Sequence, residues 1–178
     1  FQTRWEKVIA EWSRRWGEHV RGWWFDGCYF ADAMYRNPEP PNFYSFTAAA
    51  KAGNPQSLVA FNPGVFTPVQ TMTPAEDYTA GELNEPFGAI PSSRWLDGAQ
   101  WHALTYIGSN WSRRDTRHPD EKWVEWVKAV TGKGGAVTLD MGPNWDPGTG
   151  PIGALAVEQM RQVEAVRAAV RPAAAPPP

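Results

Sequence analysis

Residues 22–27 read Gly-Trp-Trp-Phe-Asp-Gly. Small and apolar residues run without alternation and stop at an acid followed by glycine. Such a run, bounded by turn residues, predicts a buried strand at 22–25. An acid just past its C-terminal end stands where parallel β/α folds collect their functional groups. Working outward, an amphipathic helix is predicted over 3–16. Trp5, Val8, Ile9, Trp12 and Trp16 recur at spacings of three and four and fall on one stripe, the side that faces a core. Thr3 and Glu6 are spaced for a capping box, and Gly17 is a plausible stop.

Downstream, the loop Asn-Pro-Glu-Pro-Pro-Asn at 37–42 leads into a predicted helix at 43–52, ended by Asn54-Pro55. Strands are predicted at 57–61, 77–83, 101–108 and 136–142. Helices are predicted at 119–131, with Trp123, Trp126, Val127 and Val130 inward, and at 153–171. In the last helix Leu155, Met160, Val163, Val166 and Val170 are the expected buried positions. Short apolar strands alternating with helices indicate an α/β chain of parallel β/α units. Residues 172–178 form a Pro/Ala-rich tail.

Composition narrows the function. The chain has 178 residues and a net charge of −2, which argues against a partner held through nucleic acid phosphates. The apolar fraction of 42% is enough for a core and excludes wholesale disorder. No apolar run reaches the length of a membrane span, so no membrane partner is expected. The first residues, Phe-Gln-Thr-Arg-Trp, show no signal-peptide pattern. They lack Met, which reads as processing or a fragment. An extracellular or periplasmic location requires a signal peptide on the full-length chain. Cys28, the single cysteine, cannot form an internal disulfide. Three scattered histidines give no metal-ligand spacing, so no metal or other cofactor is expected. The glycine-rich residues 132–135 precede a strand rather than a helix and lack the phosphate-loop pattern. Eleven Trp in 178 residues suit either a heavy core or a cleft for a sugar ring.

Two acids carry the chemistry. Asp26 reads as a nucleophile or general acid/base, the alternative being a turn cap. Glu82 ends a different predicted strand, and parallel strands can bring it to the same cleft. Two carboxylates flanking a bond are what glycoside hydrolysis needs: one attacks the anomeric carbon, and the other protonates the leaving oxygen and then activates water. Glu85 is an alternative acid. Trp24, Asn62, His102 and Trp111 are candidate substrate contacts. His102 reads equally as a core histidine and Asn62 as a turn former. Cys28 reads as packing, and Asp140 as a loop cap or an orienting group.

The combination of these segments resembles the catalytic barrel of the alpha-L-fucosidases of glycoside hydrolase family 29. Residues 16–27 are similar to the family strand that carries the catalytic aspartate, matching Asp26. Residues 77–82, Asp-Tyr-Thr-Ala-Gly-Glu, resemble the segment that carries the acid/base glutamate, matching Glu82. Residues 101–112 resemble a stretch that usually begins Trp-Glu; here His102 replaces the Glu. Residues 132–152 resemble the last barrel strand and its Gly-Pro loop. Asn62 falls at or near an arginine of some members. The resemblance implies a TIM-type (β/α)8 barrel, present as a partial barrel of about five units over 1–171 and matching strands four to eight. It also implies a glycan or small glycoside as substrate. A half barrel leaves open strand edges, so a missing N-terminal half, a partner or self-association is expected.

The resulting expectation is a retaining exo-glycoside hydrolase, alpha-L-fucosidase-like, using Asp26 and Glu82. The alternative is a non-catalytic carbohydrate-binding or scaffold protein derived from such a barrel, with the two acids far apart. A third reading is a barrel hydrolase for another sugar, with His102 replacing a family contact.

Overall fold

A computed structural model describes residues 1–171. The predicted tail at 172–178 lies outside the described residues. The chain divides into two compact units, residues 1–83 with 94–103, and residues 84–93 with 104 onward.

The first unit begins with α1 (Gln2–Trp16), closed by a 3-10 turn at Gly17–His19, and continues through β1 (Gly22–Phe25) to a short α2 (Ala31–Met34). Then come α3 (Phe43–Ala50) and β2 (Leu58–Phe61). β1 and β2 pair in parallel, with Gly22 opposite Leu58 and Phe25 opposite Phe61. A small antiparallel hairpin follows, β3 (Trp95–Leu96) and β4 (Ala99–Gln100). The core gathers Ile9 from α1, Phe43, Phe46 and Ala50 from α3, Val59 and Phe61 from β2, with Cys28 and Met72 from loops.

Two local expectations are corrected here. The capping box is not at Thr3 and Glu6, since α1 starts without a side-chain cap. It sits at α3, where Asn42 accepts from the Ser45 N–H and Ser45 Oγ accepts from the Asn42 N–H. Glu6 instead accepts a hydrogen bond from the Ser45 hydroxyl. The α1 stripe is also only partly covered. Ile9 is buried, but Trp5, Trp12 and Trp16 remain 41–44% exposed and pack on one another, Trp12 against Trp16 at 5.6 Å. The face that docks on α3 is centred instead on Ser13, whose hydroxyl donates to the Ala50 carbonyl at 2.6 Å.

The strand predicted at 77–83 is not a regular strand. Gly81 takes φ +60° and its Cα lies against the His102 backbone, where a Cβ would come within 2.0 Å of the carbonyl oxygen. This left-handed kink, open to glycine but costly for other residues, breaks the extension. Only isolated bridge residues remain, at Tyr78, parallel to Gln100, and at Glu82. The segment lies along the outer edge of β2, and side chains complete the pairing. Asp77 Oδ2 accepts the Val59 N–H and Glu76 Oε1 accepts the Phe61 N–H, each at 2.9 Å.

The second unit takes the end of β5 (His102–Tyr106), α4 (Asp120–Gly132), β6 (Ala136–Asp140) and α5 (Val157–Val170). β5 and β6 form a two-stranded pair, continued where the Ile107 N–H donates to the Asp140 carbonyl at 3.1 Å. Trp123, Trp126, Val127 and Val130 of α4 are buried, and Phe87 packs on Trp123 at 5.0 Å. The predicted apolar face of α5 is corrected. Leu155, Met160 and Val170 are exposed, Val163 is half-buried and only Val166 is fully buried. Two buried glutamines hold the helix instead. Gln159 donates to the carbonyls of Arg113 and Asp115 and accepts from the Gly142 N–H; Gln162 donates to the His118 carbonyl. Gln159, paired at both its amide nitrogen and its oxygen, can be buried without a large penalty.

Among the described residues the strands form three two-stranded pairs rather than a continuous barrel wall. No helix of the described residues is long and apolar enough to cross a membrane.

Candidate active site

Asp26 follows the last residue of β1, and Asn62 follows the last residue of β2. Parallel pairing in register therefore sets them side by side. The Asn62 backbone is fixed at both polar groups: its N–H donates to the Phe25 carbonyl at 2.7 Å, and its carbonyl accepts from the Cys28 N–H at 2.9 Å. The side chain is fully buried. Its Oδ1 accepts from the Gly64 N–H at 3.1 Å, which turns Nδ2 toward the acids. That one nitrogen donates to Asp26 Oδ1 at 3.0 Å and to Glu82 Oε2 at 2.6 Å. With the two N–H bonds splayed at about 120°, these carboxylate oxygens lie about 5 Å apart.

Asp26 Oδ1 collects two more donors, the Gly27 N–H at 2.8 Å and the Tyr29 hydroxyl at 3.1 Å. The Gly27 contact uses φ +81°, a conformation glycine adopts freely. Asp26 Oδ2 takes no hydrogen bond among the described residues and Asp26 is exposed. Glu82 is half-buried.

The segment that carries Glu82 is pinned from two sides. The Trp24 indole N–H donates to the Ala80 carbonyl at 3.2 Å. His102 is buried; its Nδ1 bonds the Thr79 carbonyl at 2.9 Å, and its backbone N–H donates to Thr79 Oγ1 at 2.8 Å. Burial lowers the imidazole's pKa, which favours the neutral ring. Of the predicted site residues, Asp26, Asn62 and Glu82 meet directly, and Trp24 and His102 brace the third.

Glu85 and Trp111 belong to the second unit. Glu85 is exposed and pairs with Arg117 at 3.3 Å. Trp111 packs edge-on against Tyr106 at 4.8 Å. Asp140 accepts from the Ser112 N–H at 2.7 Å, the loop-capping role. Cys28 is sealed beneath the site, its thiol pushed up to about 12 by burial and by the charge of Glu76, so it is not a nucleophile.

Two residues escaped the sequence reading. Tyr29 lies three residues beyond Asp26 in a turn, a spacing that could have flagged it. Glu76 sits in an irregular stretch with no periodic signal. It is buried, and burial pushes its carboxyl up to about 7. No cluster of metal-ligating side chains occurs among the described residues.

Comparison with solved structures bears on the fold. The endo-fucoidan hydrolase MfFcnA4 of glycoside hydrolase family 107 superposes with a TM-score of 0.72 at 20% identity, over 89% of this chain and 29% of its own. P5AFcnA, another family 107 endo-fucoidan hydrolase, gives 0.72 at 18% identity, over 96% and 56%. The alpha-L-fucosidase AlfC from Lactobacillus casei, bound to alpha-L-fucose, gives 0.58 at 13% identity, over 92% and 43%. The chain has the mixed α/β fold of these fucose-related glycosidases. The likeness is wider than the family 29 resemblance, since it takes in family 107. The chain spans between 29% and 56% of the length of the endo-fucoidan hydrolases. No family model and no curated protein matches the sequence.

Proposed function

We propose that the chain supplies the two-carboxylate centre of a retaining glycoside hydrolase acting on a fucose-type glycoside, with Asp26 as nucleophile and Glu82 as acid/base. One observation carries this reading: a single buried amide nitrogen, Asn62 Nδ2, donates to both carboxylates, at 3.0 Å to Asp26 and 2.6 Å to Glu82, which with ideal amide geometry sets those oxygens about 5 Å apart. Retaining enzymes space their carboxyl groups at about 5–5.5 Å, whereas inverting enzymes leave about 6.5–9.5 Å for a water.

The chemistry follows from the free oxygens. Asp26 Oδ2 attacks the anomeric carbon while the bond to the leaving oxygen breaks. Glu82 gives its proton to that oxygen. Water then attacks the same carbon, Glu82 takes a proton from it, and the bond to Oδ2 breaks. Asn62 orients both acids through one neutral amide nitrogen. Glu85 is tied to Arg117 and is not given this role.

The test is turnover of aryl glycosides, beginning with aryl alpha-L-fucosides, by the protein and by Asp26→Asn and Glu82→Gln. Loss of about 10⁴-fold is expected for the first and about 10²–10⁴-fold for the second. Wild-type turnover in either variant removes that assignment. Glycan binding without turnover in the parent protein replaces the reading with a non-catalytic, carbohydrate-binding one.

A further inference from the structure

Asp26 is held asymmetrically. Gly27, Tyr29 and Asn62 all donate to Oδ1, while Oδ2 is left for the substrate. Gly27 and Asn62 are fixed by the backbone. Tyr29 is different, a side chain 56% exposed on a turn, its ring lying over Gly64 where an added Cβ would come within 3.3 Å of it. The same Gly64 orients Asn62 through its N–H. An exposed tyrosine is not needed for packing, and its hydroxyl hydrogen bond to Asp26 holds its own proton more tightly than usual. The donor is therefore present throughout the neutral range.

The charge on Oδ1 changes during the reaction. In the free carboxylate it bears about half a negative charge. Once Oδ2 is bonded to the sugar, Oδ1 is an ester carbonyl and accepts more weakly. A donor on Oδ1 thus favours the carboxylate over the ester. It restrains attack slightly and assists departure, in which the electron pair of the C1–Oδ2 bond returns to Asp26.

We propose that Tyr29 is a positioning residue for the second displacement: its hydroxyl stabilises Asp26 as the leaving group when water cleaves the glycosyl-enzyme. This rests on the two-carboxylate reading above and assigns the residue to one of its steps. Hydrogen bonds to charged groups are the stronger class, and one such bond corresponds to roughly 10–100-fold in rate.

The experiment uses Tyr29→Phe, which keeps the ring against Gly64 and removes only the hydroxyl. The protein and the variant are treated with 2-deoxy-2-fluoro-alpha-L-fucosyl fluoride. The mass adduct is mapped, and its decay is followed after the reagent is removed. An adduct on Asp26 that decays at least tenfold more slowly in Tyr29→Phe is expected. With an activated aryl fucoside, kcat and KM should fall together and a burst of about one equivalent should appear. An adduct on Asp26 with equal lifetimes overturns the role of Tyr29 and leaves the two-carboxylate reading standing. A fall in kcat with unchanged KM and no burst also overturns it, because the residue would then serve the first step. No adduct on the parent protein, or an adduct elsewhere, overturns the two-carboxylate reading and this proposal together.

Discussion

The carboxylate of Glu76 accepts the backbone N–H of Phe61 at 2.9 Å with one oxygen and that of Met72 at 2.7 Å with the other. A side chain thus occupies the hydrogen-bonding edge of β2 immediately before Asn62. Its carboxyl is pushed up to about 7 by burial, above the 4.5 of an unperturbed glutamate. A carboxyl raised on folding favours the folded state when protonated. Its contribution is fully present below about pH 4.5 and is lost as pH rises through about 7. The shift corresponds to about 3 kcal/mol. Urea unfolding of the protein and of Glu76→Gln, from pH 4.5 to 8, should show a decline in the former that is absent in the latter. Parallel pH dependences would exclude this role.

Gly81→Ala places a methyl group where the His102 carbonyl already lies, in a left-handed conformation. The expected cost is about 2–4 kcal/mol. Chemical denaturation measures it, and a loss under 1 kcal/mol would mean that the kink relaxes freely.

Asn62→Asp keeps the acceptor for Gly64 but replaces the shared donor with a third carboxylate. Three acids then converge where one amide joined two. Turnover at neutral pH should fall by about 10³-fold or more, further than in Asn62→Ala, because each lost bond to a charged group is worth about 1.5–3 kcal/mol and repulsion is added. Comparing kcat of the two variants tests this ordering.

Gln159→Leu removes the partner of the Arg113 and Asp115 carbonyls and of the Gly142 N–H. An apolar side chain of similar size at a buried site would stabilise a hydrophobic interface. Here it should destabilise by about 3 kcal/mol, since buried backbone groups lose their partners. A thermal melt reads the sign directly.

Elements with a local signal were legible in the sequence. The run Trp23-Trp24-Phe25 forms the expected strand but is half-buried rather than sealed in the core, whereas the stripe of Trp123, Trp126, Val127 and Val130 buries as its period requires. What failed was governed by distant partners. The stretch ending in Glu82 reads as a strand, yet Gly81 bends it because the His102 backbone approaches closely. The final helix reads as apolar, yet Gln159 docks it through carbonyls 44 and 46 residues away. Of the candidate site, Asp26 was legible at the end of β1, while Glu82 was read at the end of a strand that the Gly81 bend replaces. The amide that joins them was visible only as one residue in an Asn-Pro-Gly turn.

The anomeric configuration of the first-formed sugar, followed by proton NMR during hydrolysis of an aryl alpha-L-fucoside, tests the two-carboxylate centre most directly. Carboxylates joined by Asn62 at a spacing of about 5 Å predict net retention, so the alpha anomer should appear first. First release of the beta anomer would contradict it.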